Sequence, residues 1–459
     1  MRLRFEAWRA EGPGVALDVD EEERAYTCKM CACENGYAAR LAADCWRRHK
    51  DMRQIPRRNL IAAAACFASL SALAIATVSL SSCSGFFVPQ TSTGSTGSTG
   101  TTGTTGSTGT STIDVAYITN SVTTTQSLDA YSVSGGALTA LSGAPYTLGF
   151  VPQAVAINPA GTFAYVASVP SSGTLGEIFL YSVSNTGVLT IANSGKPVIG
   201  TELAPEPIAL AISTDGNYLF ALDGTGVLAE YPISSSTGAV TDANNPTTYP
   251  ANVPTDGGTI VPKALVFAPS GGFLVEANGT GGAVVYNYNS STGGLSVETP
   301  IISPSSTSVS INGVAVDKNN HIFLSFGYSG TSQGLQEYTA NASGAYSATA
   351  TALVATGNGP HGVVVDPTGT YVYVANYADG TISGYTISGM TPITGSPFTG
   401  PQSVSSLGAD NTGGYLVAAG YNATSGIQLF SIGSGGVLTL AGSAGSGTIG
   451  EPISVAMTP

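Results

Sequence analysis

The larger part of this 459-residue chain lacks arginine, cysteine and tryptophan. Arg58 is the last arginine, Cys83 is the last cysteine and Trp46 is the last tryptophan. The residues after Cys83 therefore hold no disulfide, no thiol nucleophile and no cysteine-based metal site. They also lack the guanidinium group, whose planar fork is well suited to holding a phosphate. A site for a phosphorylated ligand in this part of the chain would have to be built without arginine.

Positive charge is also scarce after the first residues. From Ser84 onward there are three lysines and 18 acidic residues, so the formal charge of that part is 3 − 18 = −15. Such a surface repels the phosphate backbone, which excludes nucleic acid as a partner. Charged residues make up only 9% of the chain, whereas glycine occurs 59 times. Low charge with many glycines, β-branched residues and tyrosines favours an all-β fold of short strands and turns.

An apolar run near the N-terminus predicts an export signal. Arg57 and Arg58 precede the almost uncharged residues 60–80, and small residues follow up to Cys83. A basic flank, an apolar stretch and small residues before a cleavage site are typical of secretory signals. The four residues ending at Cys83 resemble the bacterial lipobox, which implies that Cys83 is lipidated and begins the mature chain. The alternative is a single membrane-spanning anchor, because the run is about long enough to cross a bilayer.

Residues 1–51 do not fit this interpretation, because an export signal should begin the chain. Since Met52 starts a normal basic flank, we expect translation to begin there and interpret residues 1–51 as an extension outside the protein. The alternative is a zinc module, because the spacings Cys28-x2-Cys31 and Cys45-x3-His49 are compatible with zinc. The additional Cys33 does not fit that pattern, and a cytoplasmic zinc module before an export signal would serve little purpose.

The rest of the chain divides by composition. Residues 52–83 are predicted to be a lipoprotein signal peptide that ends at Cys83. Residues 84–112 are rich in Ser, Thr and Gly, and such a segment is a flexible tether because it cannot bury a core. Residues 113–459 are predicted to form the folded body. A lipid on Cys83 would hold this body at a membrane, in the cell envelope and outside the cytoplasm.

One strand pattern recurs along residues 113–459. The clearest copy runs from Pro360 to Asn376, where Pro-His-Gly-Val-Val-Val is followed by the turn Asp-Pro-Thr-Gly and then by Thr-Tyr-Val-Tyr-Val-Ala-Asn. The turn has an Asp that caps, a Pro that fixes φ and a Gly that allows positive φ. Five other full copies begin at Pro152, Pro207, Pro262, Asn312 and Ser405.

A seventh copy is split between the two ends of the repeat region. Residues 451–459 supply a first strand without a second, and residues 114–120 supply a second strand without a first. Pairing of these strands would close a ring and remove its exposed sheet edges. With a third strand and a fourth strand in each unit, the sequence predicts a seven-bladed β-propeller with split-blade closure.

An aromatic residue occurs in the third strand of every copy. We interpret these residues as wedges between neighbouring blades, and the alternative is a stacked-aromatic ligand site. They are Tyr131, Tyr181, Tyr231, Tyr288, Tyr338, Tyr385 and Phe430.

The motifs of these copies resemble known propeller repeats. The segment Tyr371-Val-Tyr-Val-Ala-Asn376, preceded by Pro360-His-Gly-Val-Val-Val-Asp-Pro, looks like the YVTN-type repeat. The Gly-x-Leu-Thr turn before the fourth strand is similar to the seven-bladed lactonase family, whose founding activity is the hydrolysis of 6-phosphogluconolactone. The resemblance covers about residues 113–459 and implies the propeller fold. The motifs build blades and do not themselves carry catalysis, and the Trp-Asp signature of WD repeats is absent.

The mouth of the central channel is the predicted ligand site, because polar residues recur near the start of the innermost strands. His361 is the only histidine among them and is a candidate general base that activates water against a lactone carbonyl, with Lys263 as the electrophile. Alternatively, His361 is only a blade-entry residue. His321 lies at a turn away from the mouth and is expected to be structural. The candidate ring consists of Gln153, Lys263, Asn312, His361 and Ser405, with Glu206 and Glu451 beside them.

Two functions follow from these predictions. The main one is a membrane-tethered scaffold that binds a protein, glycan or small molecule at the channel mouth, since no compact catalytic set is visible in the sequence. The alternative is an extracytoplasmic lactone hydrolase, acting more readily on a neutral lactone because the acidic body repels a phosphorylated one. No cofactor and no metal are expected, since Glu206 and Glu451 alone are weak cation ligands. The chain is expected to be a monomer.

Overall fold

The computed structural model describes residues 113–121, 126–169, 176–199, 206–252, 258–298, 302, 309–327, 333–347, 351–421, 426–444 and 452–459. Residues 1–51, predicted to be an extension, residues 52–83, predicted to be a signal peptide that ends at Cys83, the predicted tether 84–112, and Glu451 all lie outside the described residues. Among the described residues, no helix is long and apolar enough to cross a membrane.

Seven antiparallel sheets form the seven blades, and each sheet has its first strand innermost. Blade 1 combines β29 (Pro452–Met457) with β1 (Asp114–Asn120), β2 (Ser127–Ser134), β3 (Ala137–Ala140) and β4 (Tyr146–Thr147). Blade 2 contains β5 (Val151–Ile157), β6 (Phe163–Val169), β7 (Glu177–Val183) and β8 (Leu189–Ile191). Blade 3 contains β9 (Pro207–Ile212), β10 (Tyr218–Asp223), β11 (Leu228–Pro232) and β12 (Thr247–Tyr249).

The other four blades continue this order. Blade 4 contains β13 (Ala264–Phe267), β14 (Phe273–Ala277), β15 (Ala283–Tyr288) and β16 (Leu295–Val297). Blade 5 contains β17 (Ser310–Val316), β18 (His321–Gly327) and β19 (Gly334–Thr339). Blade 6 contains β20 (Pro360–Val365), β21 (Tyr371–Asn376), β22 (Thr381–Thr386), β23 (Thr391–Pro392) and β24 (Phe398–Thr399). Blade 7 contains β25 (Ser406–Ala409), β26 (Tyr415–Ala419), β27 (Ile427–Ile432) and β28 (Leu438–Ala444).

The split closure predicted from the sequence is confirmed. The C-terminal β29 pairs antiparallel with β1, from Ala116 opposite Met457 to Asn120 opposite Pro452. Beyond the strand, the N–H of Val115 donates to Oγ1 of Thr458 at 2.9 Å, and the N–H of Thr458 donates to the carbonyl of Val115 at 2.9 Å. The C-terminal residues therefore form the innermost strand of blade 1, and the first described residues form the strand next to it.

The turn between the first two strands of a blade has the chemistry expected from the sequence. In blade 6, Oδ1 of Asp366 accepts the N–H groups of Thr370 at 2.8 Å and Tyr371 at 2.5 Å, and Gly369 has φ +69°. In blade 5 the residue at the glycine position is Asn320, which has φ +67°. Asparagine tolerates this left-handed region better than most residues with a side chain, so the turn is preserved.

The hydrophobic core lies between the blades and not at the centre of the ring. The described buried residues form seven apolar clusters, each shared by two neighbouring blades. Each cluster contains one of the predicted third-strand aromatics, and all seven of these side chains are at most 9% exposed. Their interpretation as wedges is confirmed. A second set of tyrosines, on the second strands, bonds across blades to a carbonyl: Tyr117 to Gly187, Tyr165 to Gly238 and Tyr373 to Gly436.

Blade 5 differs from the predicted four strands, because its sheet has three strands in the described part of the chain. After β19, single bridges join Ala340 to Tyr346 and Leu335 to Val354. The intervening residues are mostly Ala, Ser and Thr, which offer few apolar side chains to pack against a neighbouring blade. A regular outer strand is therefore not expected to gain much from burial at this position.

Candidate functional site

A cavity of about 440 Å³ lies where the innermost strands of all seven blades converge. This volume falls within the range of small-molecule sites. Its described lining combines apolar side chains with a few polar ones. The polar lining residues are Gln153, Lys263, Asn312, His361, Ser403, Ser405, Ser406 and Ser454, together with the phenol groups of Tyr377 and Tyr421.

Bulges in the innermost strands place three of the predicted residues in this cavity. The strand register shifts between Pro152 and Ala154, between Ile311 and Gly313, and between Pro360 and Val363. Gln153, Asn312 and His361 fall within these shifts, each directly after the residue at which the shift begins. A bulge leaves such a residue outside the regular pairing and re-aims its side chain. The recurring polar residue in the sequence thus corresponds to a recurring bulge at the channel.

Two glycines allow the innermost strands of blades 5, 6 and 7 to approach each other closely. A Cβ on Gly313 would lie 2.2 Å from the carbonyl oxygen of His361, and one on Gly362 would lie 2.6 Å from that of Ser405. The Oγ of Ser325 donates to the His361 carbonyl at 2.6 Å, and the N–H of Gly362 donates to the Ser405 carbonyl at 3.1 Å. The backbone on both sides of His361 is therefore held by the neighbouring blades.

Asn312 lines the cavity, but both ends of its side-chain amide already have partners in the protein. Its Nδ2 donates to the carbonyl of Pro360 at 2.9 Å, and its Oδ1 accepts from Oγ of Ser310 at 2.6 Å. Gly327 makes room for this amide, because a Cβ there would lie 2.2 Å from Nδ2. Asn312 therefore joins blade 5 to the strand that carries His361.

The electrostatic environment of His361 favours its neutral form. The imidazole is half-buried and stacks on the ring of Tyr377, with centroids 5.0 Å apart and planes 19° apart. Burial, and next the positive charge of Lys263, lower the pKa of His361 below its ordinary 6.5. A neutral imidazole at neutral pH can accept a proton.

The charge of this cavity differs from that of the acidic body around it. Among the described lining residues, Lys263 is the only ammonium group and no carboxylate occurs. Lys263 is exposed, and its backbone N–H is fixed by the carbonyl of Ala277 at 2.8 Å. The described lining of the cavity therefore includes one imidazole and one ammonium group.

The remaining predicted residues lie elsewhere or outside the described chain. Glu206 is exposed and does not line the cavity, and its Oε2 lies near Gly224. Glu451 lies outside the described residues. His321 begins β18, with Nδ1 2.8 Å from Oδ2 of Asp317, and lines a different cavity between blades 5 and 6. In the described part of the chain, no group of three or more His, Cys, Asp or Glu side chains is placed to hold a metal ion.

Two cavity residues, Tyr377 and Tyr421, were missed by the sequence analysis. Both line the channel cavity and are 44% and 40% exposed. The signal was present in the repeats, because each tyrosine occupies the position just after the segment of the second strand, Tyr371–Asn376 and residues 415–420 respectively.

Part of the chain resembles a known protein family. Residues 314–449 match the family model Lactonase, 7-bladed beta-propeller. This match confirms the predicted resemblance to the lactonase family over these residues, and the seven sheets confirm the predicted seven-bladed propeller. A search of curated proteins gave no significant match.

Solved structures share the fold of this propeller. A putative 6-phosphogluconolactonase from Bacteroides uniformis has a TM-score of 0.61 at 14% identity, over 75% of this chain and 99% of its own. A second, from Bacteroides fragilis, has a TM-score of 0.59 at 14% identity, over 76% and 99%. The periplasmic gluconolactonase of Pseudomonas aeruginosa gives the same four values as the second. At this identity the likeness establishes the fold alone, whereas the family match favours the hydrolase alternative over the scaffold interpretation.

Proposed function

We propose that this lactonase-family propeller hydrolyses a lactone at the mouth of its central channel, outside the cytoplasm. The observation that carries the proposal is the convergence of His361 and Lys263 on one cavity whose described lining has no carboxylate. The sequence alone favours the scaffold interpretation, because no compact catalytic set is visible in it. The proposal is supported by an imidazole and an ammonium group that line the same cavity. It is also supported by similar folds in solved structures, which are named a putative 6-phosphogluconolactonase and a periplasmic gluconolactonase.

In the proposed reaction, His361 acts as the general base. Its neutral imidazole takes a proton from a water molecule, whose oxygen attacks the lactone carbonyl carbon. The carbonyl oxygen becomes an oxyanion, which the ammonium group of Lys263 stabilises. When the tetrahedral intermediate collapses, the ring C–O bond breaks and the departing alkoxide takes the proton from the imidazolium. The product is the open-chain hydroxy acid.

Lys263→Met tests this role of the ammonium group. The purified chain is assayed against neutral sugar lactones and a 6-phosphorylated lactone, with spontaneous hydrolysis subtracted. We expect turnover by the wild type, and a decrease in kcat of about 10² to 10³-fold in Lys263→Met with little change in KM, because the cation acts on charge that develops in the transition state.

Lys318→Met is the matched control, because Lys318 is an exposed lysine outside the cavity lining. Its kcat is expected to equal that of the wild type. If the wild type hydrolyses none of the lactones, the proposed function is wrong, and the scaffold interpretation is then the better supported one.

We further propose that a lipid on Cys83 and the tether 84–112 hold the propeller at a membrane. The support is the lipobox-like sequence before Cys83 and the absence of apolar side chains from residues 91–112. Cys83→Ser is expected to release the chain from the membrane fraction into the soluble fraction, since two or more acyl chains give a stable anchor and their loss removes it. Retention of Cys83→Ser in the membrane fraction would instead support an uncleaved membrane-spanning segment.

A further inference from the structure

Two exposed tyrosines stand at the channel cavity on neighbouring blades. Tyr377 follows β21 of blade 6, and Tyr421 follows β26 of blade 7. The third-strand aromatics are at most 9% exposed, whereas these two are 44% and 40% exposed. Packing between blades therefore does not account for the two side chains.

The repeat pattern shows that a propeller blade does not require an aromatic residue here. Strand registers place the same structural position of the other five blades at residues with small or aliphatic side chains. These residues are Ser121, Val169, Gly224, Gly279 and Gly327. The two tyrosines thus depart from the repeat pattern. They occur only in blade 6, which carries His361, and in the neighbouring blade 7.

The backbone at Tyr377, and directly before Tyr421, lies against neighbouring segments. The N–H of Tyr377 donates to the carbonyl of Gly359 at 2.8 Å. Before Tyr421, Gly420 lets residues 402–404 pass closely, because a Cβ there would lie 2.5 Å from the carbonyl oxygen of Gln402. A planar side chain on a fixed backbone loses little conformational entropy on binding, which makes each ring a suitable contact surface.

The chemistry of the cavity indicates what these rings contact. A sugar ring has apolar C–H faces and a polar edge, so it can lay one face on an aromatic ring while its hydroxyl groups meet the polar lining. A phosphate would meet only one ammonium group, no arginine and a body of charge 3 − 18 = −15 from Ser84 onward. The lining is therefore matched to an uncharged ring.

We infer that Tyr377 and Tyr421 form an aromatic rim that receives the face of a neutral sugar ring, so that the substrate is an unphosphorylated sugar lactone. The inference rests on the proposed function for the reaction but not for the binding. Tyr377 also contacts the ring of His361 and so positions the base. Tyr421 is the cleaner probe of the rim, because its substitution leaves that contact intact.

The test measures binding and turnover separately. The full chain is titrated calorimetrically with a neutral gluconolactam, a ring that cannot be hydrolysed as a lactone, and with its 6-phosphate. We expect the wild type to prefer the neutral ring. Tyr421→Ala is expected to weaken that binding about five- to tenfold, whereas Tyr421→Phe stays within about twofold of the wild type, since the contact is made by the ring face. Leu440→Ala, which removes a side chain that is 57% exposed and outside the cavity lining, is the control and should bind as the wild type does.

Kinetics with a hydrolysed lactone distinguish the rim from the reaction. Tyr421→Ala should raise KM by a similar factor and leave kcat nearly unchanged, because the contact is made equally in ground and transition states. Tyrosine-dependent binding without turnover of any lactone would contradict the proposed function and support the rim. Turnover with an unchanged KM in Tyr421→Ala would overturn the rim, as would equal binding of the lactam by this variant and by the wild type. The rim would also be overturned if the wild type preferred the 6-phosphate or did not bind the lactam.

Discussion

His361→Gln is expected to lower kcat for lactone hydrolysis by about 10² to 10⁴-fold, which is the usual contribution of a positioned general base. Glutamine keeps polar groups of similar reach but cannot take the proton from water. KM is expected to change little, since proton transfer belongs to the transition state. The measurement is the initial rate of acid release by the purified chain, with the spontaneous rate subtracted.

The pH profile provides a second readout of the same prediction. Burial and the charge of Lys263 lower the pKa of His361 below 6.5. The active form is the neutral imidazole, so kcat/KM of the wild type should rise as the pH rises through this lowered pKa and reach a plateau by neutral pH. Removing the nearby cation in Lys263→Met should shift the rising limb to higher pH. His361→Gln should lose this limb.

His321→Gln is the matched control, because His321 is a described histidine outside the channel cavity. Its kcat should stay near the wild-type value. A moderate decrease in the thermal stability of His321→Gln would not contradict the prediction, because Nδ1 of His321 contacts Asp317 at the turn before β18. Full activity in His361→Gln, or an equal loss in both histidine variants, would contradict the assignment of the base.

Removing residues 452–459 is expected to abolish cooperative folding of the propeller. The deletion removes β29 and leaves β1 as an unpaired inner edge. The side chains of Ala116 and Ile118, which are buried in the intact protein, would then become exposed to solvent. Five paired positions of the β1–β29 ladder are lost. At about 0.5–1.5 kcal/mol per backbone hydrogen bond, and with apolar burial lost in addition, the cost approaches the total stability of a typical domain, about 5–15 kcal/mol.

Circular dichroism during heating is the measurement for this deletion. The truncated chain should show no cooperative transition at the temperature where the wild type unfolds, and a synthetic peptide of residues 452–459 added at high concentration should restore one. Removal of Pro459 alone, which is exposed and follows the strand, is the control and should change little. An unchanged transition in the longer deletion would mean that the ring does not depend on its split blade.

The repeats made most of the fold predictable, because one local pattern carries one blade. The Asp366 turn and the alternation of the strands follow from short-range sequence, and the split pair of terminal strands follows from the two incomplete repeats. The regular outer strand expected in blade 5 is absent from the described residues, where single bridges from Ala340 and Leu335 take its place. Strand pairing at the outside of a blade is decided by neighbours and not by local pattern.

The site was only partly accessible from the sequence. The convergence of Gln153, His361 and Lys263 could be expected from their matching places in the repeat. That Asn312 would use its amide to hold Pro360, and that Glu206 would lie outside the cavity, depends on contacts between blades that no single repeat contains. Tyr377 and Tyr421 differ from the buried aromatics only in exposure, which becomes visible once the strands are placed.

The position of β1 between β29 and β2 also has a mechanical consequence. A pull on Ile113 from the residues before it would act along the axis of β1. It would load the hydrogen bonds to both neighbouring strands together, in shear, and not one after another from a free edge. The double hydrogen bond between Val115 and Thr458 lies at the point where this force enters the sheet. A propeller attached through this strand would resist unzipping when its N-terminal side is held and its body is pulled.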